Sequence, residues 1–271
     1  MKASEIKKEA REGLKGKWKK AIFIVLGFEI ISFLITMIQS FVPSETIVSI
    51  IDLAYFILSI PLSFGLIISF MKLLRGEEVF AFSFLMEGLS RFKKAWGITL
   101  YVLLKLWLPL ICLIICSFFI LSFLITTFGT IASYLFVAFC IFSIVYMIIQ
   151  SLLYVLAYNI SYDNPELSSK ECVLKSAELM KGNRKRYFFL GLSFIGWVLL
   201  ICFVFLLCIM FFLPYISTIS GYISWYVSYT LTTFCSMILF IPYVQSSFIC
   251  FYNNLVKAKK EKIEEITNNE K

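Results

Sequence analysis

Three ionisable residues stand inside long apolar runs of this 271-residue chain: Glu29, Asp52 and Lys105. An ionisable side chain within a membrane-spanning helix is costly, and it marks an ion, proton or substrate path by default. Glu29 follows Lys20, and Lys105 follows Trp96, at the same interval, so at the helical rise each sits roughly 13 Å beyond its polar boundary. Equal depth and opposite charge make the two a candidate intramembrane pair, each offsetting part of the cost of burying the other. Two other readings stay open. One is separate solvation, with Lys105 reaching back toward the boundary along its stem and Glu29 protonated; the other is a substrate or proton pathway lined by both. Asp52 precedes Lys72 by about 30 Å of helix and so falls at the far boundary, where water solvates it. Pro61 and Pro242 are candidate helix kinks, either exposing carbonyls to a cavity or serving packing alone.

Other chemistry is thinly represented. The absence of histidine removes imidazole bases, Ser-His and Cys-His nucleophile pairs and a common zinc ligand. None of the 8 cysteines forms a C-x-x-C pair, and all but Cys172 fall in apolar runs, where a thiol packs as a small hydrophobe. No Walker A, HExxH, GxSxG or dinucleotide fingerprint is present. The chain reads as a non-enzyme, with no catalytic residue, metal or cofactor expected.

The elements that carry these residues follow from composition. Hydrophobic residues make up 60% of the chain and mean hydropathy is +0.89, beyond soluble proteins, where apolar residues are about half. The expected class is an all-α polytopic membrane protein with six spans, at residues 20–41, 47–71, 97–125, 131–158, 187–213 and 223–252. Lys and Arg, 25 in all, cluster before the first span, between the second and third, between the fourth and fifth, and after the sixth. Lys105 is the exception. The remaining connections carry none, so the positive-inside rule places both termini in the cytoplasm and the chain in the cell membrane. Tyr215, Tyr222, Trp225, Tyr226 and Tyr229 are expected to form an outer aromatic belt.

Each odd-numbered span is preceded by a basic segment with helical apolar spacing: Ile6, Ala10, Leu14 and Trp18; Leu85, Leu89, Phe92 and Trp96; Val173, Ala177 and Met180. These predict amphipathic helices lying in the cytoplasmic headgroup layer. The third carries a capping box, Ser168 with Glu171, and a terminal glycine, Gly182. A turn over Asp163–Glu166 separates it from the fourth span. One membrane domain results: an amphipathic helix (1–19), hairpin 1 (20–71), an interfacial segment (72–96), hairpin 2 (97–158), a loop with an amphipathic helix (159–186), hairpin 3 (187–252) and a charged tail (253–271). Lys15, Lys19, Lys20, Lys93, Lys94, Arg184, Lys185 and Arg186 are expected to contact anionic lipid headgroups. Cations that flank apolar spans do not suggest nucleic acid. A protein partner or small solute stays open.

The recurrence suggests a repeat. LKGKWKKAIFIVLGF from Leu14 aligns with MKGNRKRYFFLGLSF from Met180, and LSIPLSFGLIISF from Leu58 with LFIPYVQSSFICF from Leu239. The middle unit fits least well.

The run DNPELSSKECVLKSAELMKGNRKRYFFLGLSFIGW from Asp163 closely resembles the signature of an uncharacterised bacterial integral-membrane family, domain of unknown function 975. SEIKKEAREGLKGKWKKAI from Ser4, IPLSFGLIISFMKLLRGEEV from Ile60 and the Leu106-Trp107 pair extend that resemblance over most of the chain. It implies six membrane helices and brings no activity or catalytic residues. The chain departs where the family carries an Ile-Pro-Gly turn, because Ile144–Gln150 contains neither Pro nor Gly.

The function expected from these features is transport-associated, with an unspecified substrate. The alternative is a membrane interaction or scaffold protein that binds anionic lipid or a partner through its basic helices. Alkaline phosphatase fusions test the topology beneath both. Fusions after residues 44 and 217 should be active and those after 80, 165 and 271 inactive; an active fusion after 271 would contradict it.

Overall fold

The computed structural model describes residues 2–212 and 219–269; side chains are described apart from most of 112–135, all of 212–239 and a few single positions. The described helices are, in chain order, α1 (Ala3–Leu14), α2 (Trp18–Ser40), α3 (Glu45–Arg75), α4 (Ser83–Ser90), α5 (Phe92–Phe128), α6 (Thr130–Ser151), α7 (Ala157–Asp163), α8 (Ser169–Met180), α9 (Arg184–Leu192), α10 (Ile195–Phe212) and α11 (Ile219–Asn269). No strand occurs among the described residues. The helices form two compact units, Met1–Arg91 with Arg186–Lys271, and Phe92–Lys185.

Four segments among the described residues are long and apolar enough to cross a membrane: Trp18–Ser40, Glu45–Arg75, Phe92–Ile111 and Arg184–Phe211. They correspond to the first, second, third and fifth expected spans. The fourth is represented by the shorter apolar stretch Phe136–Ser151. The sixth rests largely on residues whose side chains lie outside the description, and so does the aromatic belt.

In the first unit, α1 opens with the Glu5 carboxylate accepting the backbone N–H of Lys2 at 2.7 Å. It ends at Gly16, whose φ of 77° suits glycine. Ile6, Ala10 and Leu14 are buried as their spacing predicts. Their cover, however, is protein, since α1 packs on α11 and Glu9 accepts a 2.6 Å hydrogen bond from Asn254. That departs from an apolar face inserted among lipid headgroups. Along the charged tail, α11 continues as far as Asn269.

The second unit behaves similarly at α8. Ser168 Oγ accepts from the Glu171 N–H at 3.3 Å, and the Ser168 N–H donates to Glu171 at 2.7 Å. That backbone bond holds the Glu171 carboxyl below its ordinary range. Its contribution to α8 is therefore present at neutral pH and lost as pH falls through the depressed value. Val173 and Met180 are buried and Gly182 has a φ of 85°. Ser176 Oγ donates to Leu153 O at 2.8 Å and accepts from Leu156 N–H at 3.2 Å. One hydroxyl thereby satisfies two backbone groups of the turn between α6 and α7. The expected turn follows α7, with Leu167 N–H donating to Asn164 O at 3.2 Å.

Three local predictions change. The second amphipathic segment is not one helix with Leu85, Leu89, Phe92 and Trp96 on its buried face. It breaks at Arg91, Leu89 is exposed, and Phe84 and Gly88 are the buried positions of α4. The cause is a backbone-to-backbone approach between α3 and α4. A Cβ on Gly65 would lie 1.9 Å from Phe84 O, and one on Gly88 would lie 2.2 Å from Pro61 O. Lys72 and Arg91 both pair with Glu87 beside this crossing. The fifth span is interrupted at Ser193 and Phe194, where Lys7 donates to Ser193 O at 3.1 Å and lies 4.6 Å from the Phe194 ring centroid. The fourth expected span, 131–158, ends early: α6 runs unbroken through 144–150, where neither Pro nor Gly interrupts it, but stops at Ser151.

Gly65→Val and Gly88→Val should each destabilise the chain by about 1–3 kcal/mol through overpacking, read as a lower thermal unfolding midpoint in detergent. Unchanged midpoints would mean that α4 does not lie against α3.

Candidate functional site

On an apolar helix a polar side chain has only other protein groups for partners, so polar spacing on α2 and α3 is the place to begin. At 3.6 residues per turn, Glu29, Ser32, Thr36 and Gln39 fall on one face of α2. Asp52 and Tyr55 share a face of α3. The two helices pack side by side, joined by residues 41–44, and their polar faces meet. Gln39 Nε2 donates to Asp52 Oδ1 at 2.6 Å. Ser32 Oγ and Tyr55 Oη are 2.8 Å apart, while Ser32 Oγ also lies 3.3 Å from Phe28 O. Tyr55 donating to Ser32, which donates to Phe28 O, satisfies all three. Thr36 Oγ1 donates to Ser32 O at 3.1 Å.

This arrangement is a polar seam with a carboxylate at each end. Asp52, at the end nearer the α2–α3 connection, is exposed, whereas Glu29 at the other end is half-buried. Glu29 has no hydrogen-bond partner among the described residues of its own unit. Ser32 and Tyr55 supply exchangeable protons between the two acids.

Lys105 belongs to the other unit, so each unit contributes one member of the expected Glu29–Lys105 pair. Lys105 lines a cavity of about 130 Å³ between α5 and α6, with Tyr146, Gln150 and Tyr154 as its other polar walls and Pro109 and Met147 among the apolar ones. Its ammonium lies 5.8 Å from the Tyr101 ring centroid, within cation–π range. Pro109 has no N–H, so it cannot donate the helical bond to the carbonyl of Lys105 four residues earlier.

Pro61 and Pro242 are both buried inside helices, and Pro61 lies at the Gly88 contact. Of the residues expected at headgroups, Lys15, Lys19, Lys20, Lys93, Lys185 and Arg186 are exposed and Arg184 half-exposed. Lys94 differs: its ammonium donates to the carbonyls of Pro165 and Leu167, which lie in a turn that gives them no helical donor. Lys17 does likewise, donating to Leu73 O at 2.9 Å at the end of α3. Sequence reasoning missed Ser32, Gln39, Tyr55, Pro109, Gln150 and Tyr154. The signal was available for the first two, in polar spacing on an apolar helix, and for Pro109, four residues beyond a lone cation. No cluster of three or more His, Cys, Asp or Glu able to hold a metal occurs among the described residues.

These features define an all-helical protein whose apolar helices suit a membrane and carry paired polar groups. The chain belongs to the family described as "Protein of unknown function (DUF975)", whose model matches residues 1–228. No curated protein and no solved structure matches it.

A double-mutant cycle of Ser32→Ala and Tyr55→Phe should give a coupling of about 0.6 kcal/mol in unfolding free energy, the usual size for an interhelical bond in a membrane. Zero coupling would remove the seam's central link.

Proposed function

We propose that this chain is a non-enzymatic, transport-associated protein of the cell membrane. Its six spans form three hairpins with both termini cytoplasmic, and the α2–α3 seam provides a polar path into the first hairpin. The observation that carries this reading is the seam itself. A purely structural hairpin needs no carboxylates, yet this one has an exposed acid held by Gln39 at one end, a half-buried acid at the other and the Ser32–Tyr55 pair between them. Glu29 is its protonatable inner group, since an acid in an apolar helix exchanges a proton more readily than it holds a charge. Exposed cations at Lys15, Lys19, Lys20, Lys93, Lys185 and Arg186 contact anionic headgroups on the cytoplasmic side. The scaffold alternative draws on the same cations. It is less well supported because the apolar faces of α1 and α8 are already covered by protein, leaving them little to insert into a membrane.

Vesicles containing the full chain and an internal pH-sensitive dye test this reading. Under an imposed potential they should acidify faster than protein-free vesicles, and Glu29→Gln should abolish the difference. Acidification by Glu29→Gln at the unsubstituted rate, or none above the protein-free control, would overturn it.

A further inference from the structure

The cavity beside Lys105 has features of a binding site rather than a packing defect. Its volume of about 130 Å³ approaches that of cavities that admit a benzene-sized molecule. Packing defects of that size are apolar and dry, whereas Lys105, Tyr146, Gln150 and Tyr154 line this one. The lining contains one full charge, positive, and no carboxylate. Ammonium, carboxamide and two phenols together offer several donors, and an ammonium in apolar surroundings needs a counter-charge. Lys105 follows Trp96 by roughly 13 Å of helical rise along α5, while Gln150 stands at the end of α6 and Tyr154 in the turn that follows it.

We propose that this cavity binds a single small oxyanion, a carboxylate or phosphate group. Lys105 supplies the charge, Gln150 and the two tyrosines supply hydrogen bonds, and Leu106 and Met147 close the apolar wall. The same group could arrive on a free solute or on a lipid head. The depth of Lys105 along α5 favours the solute, because lipid phosphates lie at the membrane boundary. The proposal uses only the second unit, so it goes beyond the transport reading and does not depend on the seam.

The test takes the full chain in an uncharged detergent and follows thermal unfolding by tryptophan fluorescence while sodium phosphate or sodium acetate replaces sodium chloride at constant ionic strength. A second arm uses nanodiscs of phosphatidylcholine with or without phosphatidylglycerol. At a hundredfold excess over the dissociation constant the midpoint should rise by about 5 °C. The rise should vanish in Lys105→Gln and persist in Lys105→Arg. Gln150→Leu should weaken binding about tenfold, which keeps the test decisive if Lys105→Gln fails to fold. A rise with phosphate or acetate assigns the site to a solute, and a Lys105-dependent rise with phosphatidylglycerol alone assigns it to a headgroup. No rise beyond chloride in either arm, an equal rise in Lys105→Gln, or unchanged affinity in Gln150→Leu overturns the proposal. The readout is binding, so a negative result here leaves the proton-flux result standing.

Discussion

Hydrocarbon offers no hydrogen bonds, so every polar group on an apolar helix must find its partner within the protein. That constraint orders much of this structure. It brings Ser32 to Tyr55 and Gln39 to Asp52, fixing the facing register of α2 and α3. A buried amphipathic helix meets the same need, with Ser176 of α8 satisfying two backbone groups of the α6–α7 turn. Lysines are recruited to the same task, with Lys17 closing the carbonyl end of α3 and Lys94 the turn before α8. Glu29 stands apart: among the described residues of its unit it has no hydrogen-bond partner where its neighbours have theirs.

Around these polar links a local module recurs. A short amphipathic helix buries a terminal apolar residue, Leu14 or Met180, and ends at a left-handed glycine, Gly16 or Gly182. A basic stretch follows, then an apolar helix. The proline helices echo one another too: Pro61 and Pro242 are buried, as are Ile68 and Ile249, Phe70 and Phe251, Met71 and Tyr252. Matching burial at matching positions ties the aligned segments together more firmly than their residue identities do, because apolar sequence matches easily by chance. Each amphipathic helix also rests on an apolar helix or its continuation, α1 on α11, α4 on α3 and α8 on α5 and α7.

Much of this was legible in the sequence because it depends on local rules. Four-residue spacing identified the buried face of α1, the Ser168–Glu171 pair marked the start of α8, and Gly182 marked its end. Long apolar runs located four helices of membrane-spanning length. What escaped depends on three-dimensional approach. Periodicity chose Leu89 as a buried residue of α4, but the close contact of Gly65 and Gly88 with opposing backbone rotates that helix to bury Phe84 instead. The break at Ser193 and Phe194 has no proline to announce it; Phe194 packs there against Phe240 and Tyr243. The seam leaves a fainter trace in the sequence, because Glu29 and Lys105 stand out singly by charge while the neutral Ser32, Gln39 and Tyr55 show only as spacing.

A polar path along α2 and α3 requires that the polar face of α2 meet water. In a chain with its native cysteines replaced, single cysteines at Ser32, Thr36, Ile30 and Leu34 can be challenged in membranes with an impermeant thiol reagent. Ser32→Cys and Thr36→Cys should react, while Ile30→Cys and Leu34→Cys, on the opposite side of the same helix, should not. Equal labelling of all four, or labelling confined to Ile30→Cys and Leu34→Cys, would contradict a polar path along the α2–α3 seam.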